Sequence, residues 1–138
     1  MWKEIVMSVV LVGLLSSFNY DKPKVREGYY FSTHGHASTL YKIGDNKIEW
    51  YSDNVIKLWG CGKYTINEAD SLIKISYDEI WKSTQPNQRA EFEVSLKIKW
   101  DKVKNIFELS EYEYREKTDA IEDLKKRVKA SSKIKVGR

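Results

Sequence analysis

Three short stretches hold the residue types that chemistry needs. His34-Gly35-His36 contains both histidines of the chain. On a strand, residues i and i+2 share a face, so both imidazoles would reach one metal ion, with Cys61 or a carboxylate as third ligand. Continuous alternation also groups His34 and His36 with Ser32, Ser38 and Lys42, a wet face. Polar surface is therefore the expectation, with no metal or other cofactor. Gly60-Cys61-Gly62 is a thiol between two glycines, which allow a bulge or a close backbone approach. A nucleophilic thiol needs a base and a depressed pKa, and the sequence supplies no Cys-His pairing, so a packed or edge-strand cysteine is expected. Glu79 shares a row with Ile73, Ile75, Tyr77 and Trp81. If that row faces inward, the carboxylate costs several kcal/mol unless it is paired, hydrogen-bonded or wet. It would then line a cavity mouth and orient a ligand. If the strand frays or bulges by residue 79, Glu79 lies outside.

No G-x-S-x-G, H-E-x-x-H, C-x-x-C, phosphate-binding glycine loop or EF-hand spacing occurs. No reaction can be named, and a non-enzyme is expected. The aromatic residues carry the stronger pattern. Alternation places Tyr29, Phe31, Tyr41, Trp50, Tyr64, Tyr77, Trp81, Phe92 and Trp100 on inward faces. They either fill a solid core or line a pocket, where Tyr and Trp offer apolar faces with a polar handle. The ligand-binding candidates are Glu79, Tyr77, Trp81, Tyr41, Trp50, Tyr64 and Trp100. Six or seven strands enclose little volume, which favours a filled core.

These residues must be positioned by strands. Glu91–Trp100 alternates apolar with polar residues throughout, the signature of a strand with one dry face. Ser71–Trp81, Val55–Ile66, Lys47–Ser52 and Tyr29–Ile43 behave similarly, although the last is long for one strand and Gly35 would bend it or mark a loop. Ile106–Tyr114 changes phase, and a bulge near Ser110-Glu111 would restore one apolar face. Joints such as Gly44-Asp45-Asn46 and Asn67-Glu68-Ala69-Asp70 are too short for a crossover helix, so neighbouring strands are antiparallel. Ile121, Leu124 and Val128 have helical spacing over 117–130, capped by Thr118 or Asp119. The stripe is narrow, so this helix needs the sheet or a barrel mouth to dock on.

The expected fold is mainly β: an antiparallel meander of six or seven strands forming a small barrel or sandwich over 29–116, followed by one amphipathic helix. Gly28-Tyr29-Tyr30 opens the first strand much as Gly-x-Trp does in lipocalins, and the order of meander then C-terminal helix is similar to that group. The resemblance rests on three residues and an element order, and it implies a lipocalin-like barrel without implying a function.

The chain begins with Ile5–Leu15, an uncharged apolar run too short to span a bilayer but suited to a secretory signal. A signal peptide over 1–17 and a linker over 18–28 are expected, which places the protein in the periplasm or outside the cell. An uncleaved membrane anchor, or a buried first strand or helix of a cytosolic domain, is the alternative. The net charge of +4 comes from the other end. Residues 117–138 carry Lys117, Lys125, Lys126, Arg127, Lys129, Lys133, Lys135 and Arg138 against three acidic residues, whereas 18–116 is nearly balanced. A basic tail over 131–138 and its neighbouring helix would contact a polyanion such as an anionic membrane surface. Nucleic acid is the less expected partner. The leading functional expectation is an exported binding domain for a small apolar or amphiphilic ligand, associated with the cell envelope. An inhibitor or immunity-type protein-binding module, and a small metal-dependent or hydrolytic enzyme, are the alternatives.

Overall fold

A computed structural model describes residues 23–34, 37–85 and 92–136, with the side chains of residues 33, 34 and 37 left out of the description. The strands are β1 (Gly28–His34), β2 (Ala37–Ile43), β3 (Lys47–Asp53), β4 (Leu58–Asn67), β5 (Leu72–Lys82), β6 (Ser95–Asp101), β7 (Ile106–Leu109) and β8 (Glu113–Arg115). The helix α1 (Asp119–Ser131) and a last short strand, β9 (Ile134–Val136), follow. Tight turns join β2 to β3, β4 to β5 and β6 to β7. Asn46, Ser71 and Asn105 take left-handed backbone there, which short polar side chains tolerate.

The strands pair in the order β7-β6-β5-β4-β3-β2-β1-β8, each antiparallel to its neighbour. The run leading into β1 then meets the far edge. Val25 bridges Phe107 in parallel, with Arg26 N–H donating to the Phe107 carbonyl at 2.8 Å and Phe107 N–H to the Lys24 carbonyl at 3.0 Å. The sheet is thereby nearly closed into a barrel. Closure hides the edges that an open sheet would expose.

A seam of polar contacts locks this closure. The Arg26 guanidinium lies 2.9 Å from Glu108 and 3.6 Å over the Tyr114 ring. The Tyr30 hydroxyl donates to the Arg26 carbonyl, and the Tyr114 hydroxyl donates to the Glu27 carbonyl at 2.9 Å. Gly28 has φ +141°, and a Cβ there would stand 2.5 Å from the Tyr114 hydroxyl oxygen, so both backbone and space demand glycine.

Two apolar layers result. Inside the barrel, Tyr30, Tyr41, Trp50, Tyr64, Ile73 and Ile98 belong to a buried cluster that fills the centre. Outside it, Tyr29, Leu40 and Tyr51 are covered by Ile121, Leu124 and Val128 of α1. The helix starts where Thr118 Oγ1 accepts from Ile121 N–H at 3.3 Å, satisfying one orphan donor of the first turn. Arg127 reaches Asp53 at 2.8 Å and the Ser132 hydroxyl donates to the Lys57 carbonyl at 3.2 Å, fixing the helix on the upper wall. The chain then adds β9 to β5 at Ile80–Lys82, beyond the stretch Leu72–Lys74 that pairs with β6.

The structure corrects several expectations. Tyr29–Ile43 splits into two antiparallel strands whose register reverses parity, because Tyr30 pairs with Tyr41 and Tyr29 with Lys42. Tyr29 and Phe31 therefore face the helix, and Tyr30 faces the interior. The β4–β5 register shifts between Cys61 and Gly62, so Glu79 and Trp81 turn outward and Ile80 inward. Trp100 shares a row with Ile98 but stays 45% exposed. The phase change after Ile106 is a turn separating β7 from β8, and the two strands pair with different neighbours. Residues 134–136 of the expected tail are a strand. The expected signal peptide and the linker up to residue 22 lie outside the described residues.

Candidate functional site

The candidate residues divide between the barrel interior and its outer wall. Inside, Tyr41 stacks on Trp50 at 6.4 Å, and Trp50 meets Tyr77 at 5.9 Å. The Tyr64 hydroxyl donates to the Gly44 carbonyl at 2.8 Å and Tyr77 to the Glu93 carbonyl at 2.7 Å. The Tyr41 hydroxyl is buried and interacts with Tyr112, without a hydrogen bond of good geometry among the described residues. Burial pushes the Tyr41 and Tyr77 hydroxyls well above the ordinary phenol value, with neighbouring phenols and Glu93 adding to the shift. Trp100 belongs to neither set; it packs edge-on against Phe107 at 5.0 Å.

The outer wall holds the other candidates in two rows. Glu49, Cys61 and Glu79 stand opposite one another across β3, β4 and β5. In the next row Tyr51 and Trp59 are 6.5 Å apart, and Trp59 and Trp81 6.2 Å apart with planes only 5° from parallel. Trp81 Nε1 donates to Glu79 Oε1 at 2.8 Å, and the Tyr51 hydroxyl donates to Glu49 at 2.7 Å. Burial first, then the charges of Glu79, Asp78 and Glu49, raises the Cys61 thiol above its ordinary value. That is the wrong direction for a nucleophile, which must be a thiolate.

Lysines stand over this aromatic floor. Lys129 Nζ is 4.7 Å from the Trp59 ring, Lys135 is 5.9 Å from Trp81, and Lys125 is 5.4 Å from Tyr29. Lys42 approaches Tyr29 from the sheet at 6.0 Å. Burial alone would lower Lys125, but its hydrogen bond with Tyr29 and the nearby Glu122 raise it, so it keeps its charge. Each cation over a ring gains about 0.5–1 kcal/mol at an exposed site. Lys126 and Lys133 are exposed and turned to solvent, whereas Arg127 is engaged with Asp53.

His36 and Arg138 lie outside the described residues, as does the His34 side chain, so the paired-histidine site has no described geometry. Among the described residues no three His, Cys, Asp or Glu gather as metal ligands. Sequence reasoning missed Lys42, Tyr51 and Trp59. The signal was present: Tyr51 and Trp59 fall on the face opposite Trp50 and Leu58, where a wet row should be polar. Large aromatics there announce a second covering layer. Among the described residues, no helix is long and apolar enough to cross a membrane. Comparison with family models, curated proteins and solved structures finds no match.

Proposed function

We propose that this chain is an exported, non-enzymatic binding domain whose basic outer face docks on an anionic envelope surface. The observation that supports it is the seating of α1. Ile121, Leu124 and Val128 press the helix onto Tyr29, Leu40 and Tyr51, and this fixes Lys125 and Lys129 over the aromatic wall while Lys126 stays exposed. β9 holds Lys135 beside them, over Trp81. The basic residues thus form one fixed surface, and fixed charges attract a planar array of anions without first losing chain entropy. Export enters through the apolar run Ile5–Leu15.

Co-sedimentation with vesicles tests the reading. The protein should pellet with phosphatidylglycerol vesicles at low salt and stay in solution with neutral phosphatidylcholine vesicles. At about 1 kcal/mol for each lysine near an anionic surface, the double variant Lys126→Glu/Lys133→Glu should bind at least tenfold more weakly. Equal binding of the variant would exclude docking through the helix-side face, and salt-independent binding would exclude electrostatic docking altogether.

A second reading has its own observation. Where β5 leaves β6 and has not yet met β9, a cleft of about 270 Å3 opens, walled by Ile75, Tyr77, Ile80, Phe92, Val94 and Val136, with the acidic residues Asp78 and Glu79 also on its lining. A small apolar or amphiphilic ligand would lie there, in the barrel wall, because aromatics fill the centre. Native mass spectrometry of protein purified from its source checks this directly: a bound small molecule supports it, and a ligand-free mass argues against it.

A further inference from the structure

The lower outer wall of the barrel carries a charge arrangement that folding alone disfavours. Lys47 of β3 stands directly opposite Lys63 of β4, and both are exposed. Like charges facing each other across two strands destabilise a sheet. Across the next interface Lys63 faces Ser76 and Thr65 faces Lys74, and Lys74 in turn faces Ser95 of β6. The inward partners of this block, Ile48, Tyr64, Ile75 and Leu96, are buried, so the alternation is strict and all six polar side chains share the outer face. None of the three lysines forms an ion pair with a carboxylate among the described residues. The block is a grid of three ammonium groups and three hydroxyls, with a shallow cleft of about 150 Å3 between Lys63, Thr65, Lys74 and Ser76.

We propose that this block is a second anion-contact site, specific for phosphate groups displayed on an envelope surface. Every side chain in it donates hydrogen bonds, and ammonium with hydroxyl is a common donor set for phosphate oxygens. Its shape selects the source. Strands lie about 4.8 Å apart and same-face residues about 7 Å apart along a strand, so the donors are spread across an open outer wall rather than gathered in a pocket. Donors spread on an open wall meet several head groups of a planar array at once. A nucleic-acid strand would favour a groove with exposed aromatic faces for stacking, and the aromatic residue lining the cleft, Tyr64, is buried. The Glu49-Cys61-Glu79 row separates this block from the lysines of α1, which makes it an independent contact and would set the orientation of the barrel on the surface. The proposal rests on the docking reading above only for the source of the phosphate.

Amide chemical-shift titration with inorganic tripolyphosphate should move Lys47, Lys63, Thr65, Lys74 and Ser76. The double variant Lys63→Glu/Lys74→Gln should weaken tripolyphosphate at least tenfold, and weaken phosphatidylglycerol vesicles as much. Its melting temperature should be unchanged or higher, since Lys63→Glu turns a like pair into an opposite one. A role confined to stability would move the melting temperature and leave affinity alone. The variant Lys126→Glu/Lys133→Glu should retain full tripolyphosphate affinity. Shifts elsewhere, or equal affinity in the Lys63→Glu/Lys74→Gln variant, would overturn the site. Tripolyphosphate binding at the block without vesicle binding would defeat the docking reading and assign the site to free phosphate. Tighter binding of a single-stranded oligonucleotide than of vesicles would overturn the envelope surface as its partner.

Discussion

Buried tyrosine hydroxyls in this barrel differ in what they gain from their oxygen. The Tyr64 hydroxyl donates its proton to the Gly44 carbonyl, whereas the buried Tyr41 hydroxyl, beside Tyr112, makes no hydrogen bond of good geometry among the described residues. Tyr64→Phe should therefore cost about 1 kcal/mol, and Tyr41→Phe should leave stability unchanged or raise it by about 1 kcal/mol. Chemical denaturation of both variants reads the difference; a clear loss in Tyr41→Phe would mean that its hydroxyl is satisfied in solution. Cys61 makes the matching point for reactivity. Its thiol is raised by burial and by three carboxylates, so alkylation of the native protein at neutral pH should be slower than that of the unfolded chain. None of this was legible from residue types. The sequence placed Cys61 between two glycines, but only the register reveals that Glu49 and Glu79 flank it across the neighbouring strands.

At the scale of elements, α1 and the bulge carry the clearest consequences. Thr118→Ala should cost about 1 kcal/mol through loss of the cap. Its anchor to the sheet titrates. Burial would raise the Asp53 carboxyl, but hydrogen bonds from Arg127 and Lys57, with their charges, outweigh it and hold the group below its ordinary 3.8. A group depressed in the fold adds stability above its unfolded pKa and loses it as pH falls through the folded value. The stability advantage of wild type over Asp53→Asn should thus be constant near neutrality and fade below about pH 4 in thermal melts. Gly62 sits at the register shift, where a Cβ would overlap the Ser76 carbonyl, so Gly62→Ala should destabilise strongly while Gly44→Ala, with ordinary contacts, should not. Elements were the most legible scale. Alternation found β4, β6 and the lower half of β5, and the spacing of Ile121, Leu124 and Val128 found the helix face. What alternation misplaced was the parity of Tyr29 and of Glu79 with Trp81. Parity resets between β1 and β2 and again at the bulge; Gly35 and Gly62 mark that a break is allowed there, but not by how many residues the register shifts.

For the whole molecule, antiparallel neighbours made a curled meander legible, but the way it closes was not. The Val25–Phe107 bridge and the Arg26–Glu108 pair join residues more than eighty positions apart, and the alternation within a strand does not say which distant segment it meets. Glu108→Ala leaves Arg26 without its main partner and should cost about 2 kcal/mol, as expected for a partly buried hydrogen bond between charged groups. Trp100 was misplaced for a related reason: a barrel has ends, and a strand that keeps alternating past the rim runs out of interior to face.

That seam has a kinetic consequence. Its contacts close loops of more than eighty residues, so their entropic cost falls due when the rest of the wall already exists. Weakening them should then leave the refolding rate nearly unchanged and speed unfolding by about the full thirtyfold that 2 kcal/mol represents. Hydrogen exchange would see the same hierarchy without any mutation: the amides of Arg26, Phe107 and Tyr114 should trade with deuterium through a sub-global opening, while those of β3 and β4 wait for the whole molecule to come apart.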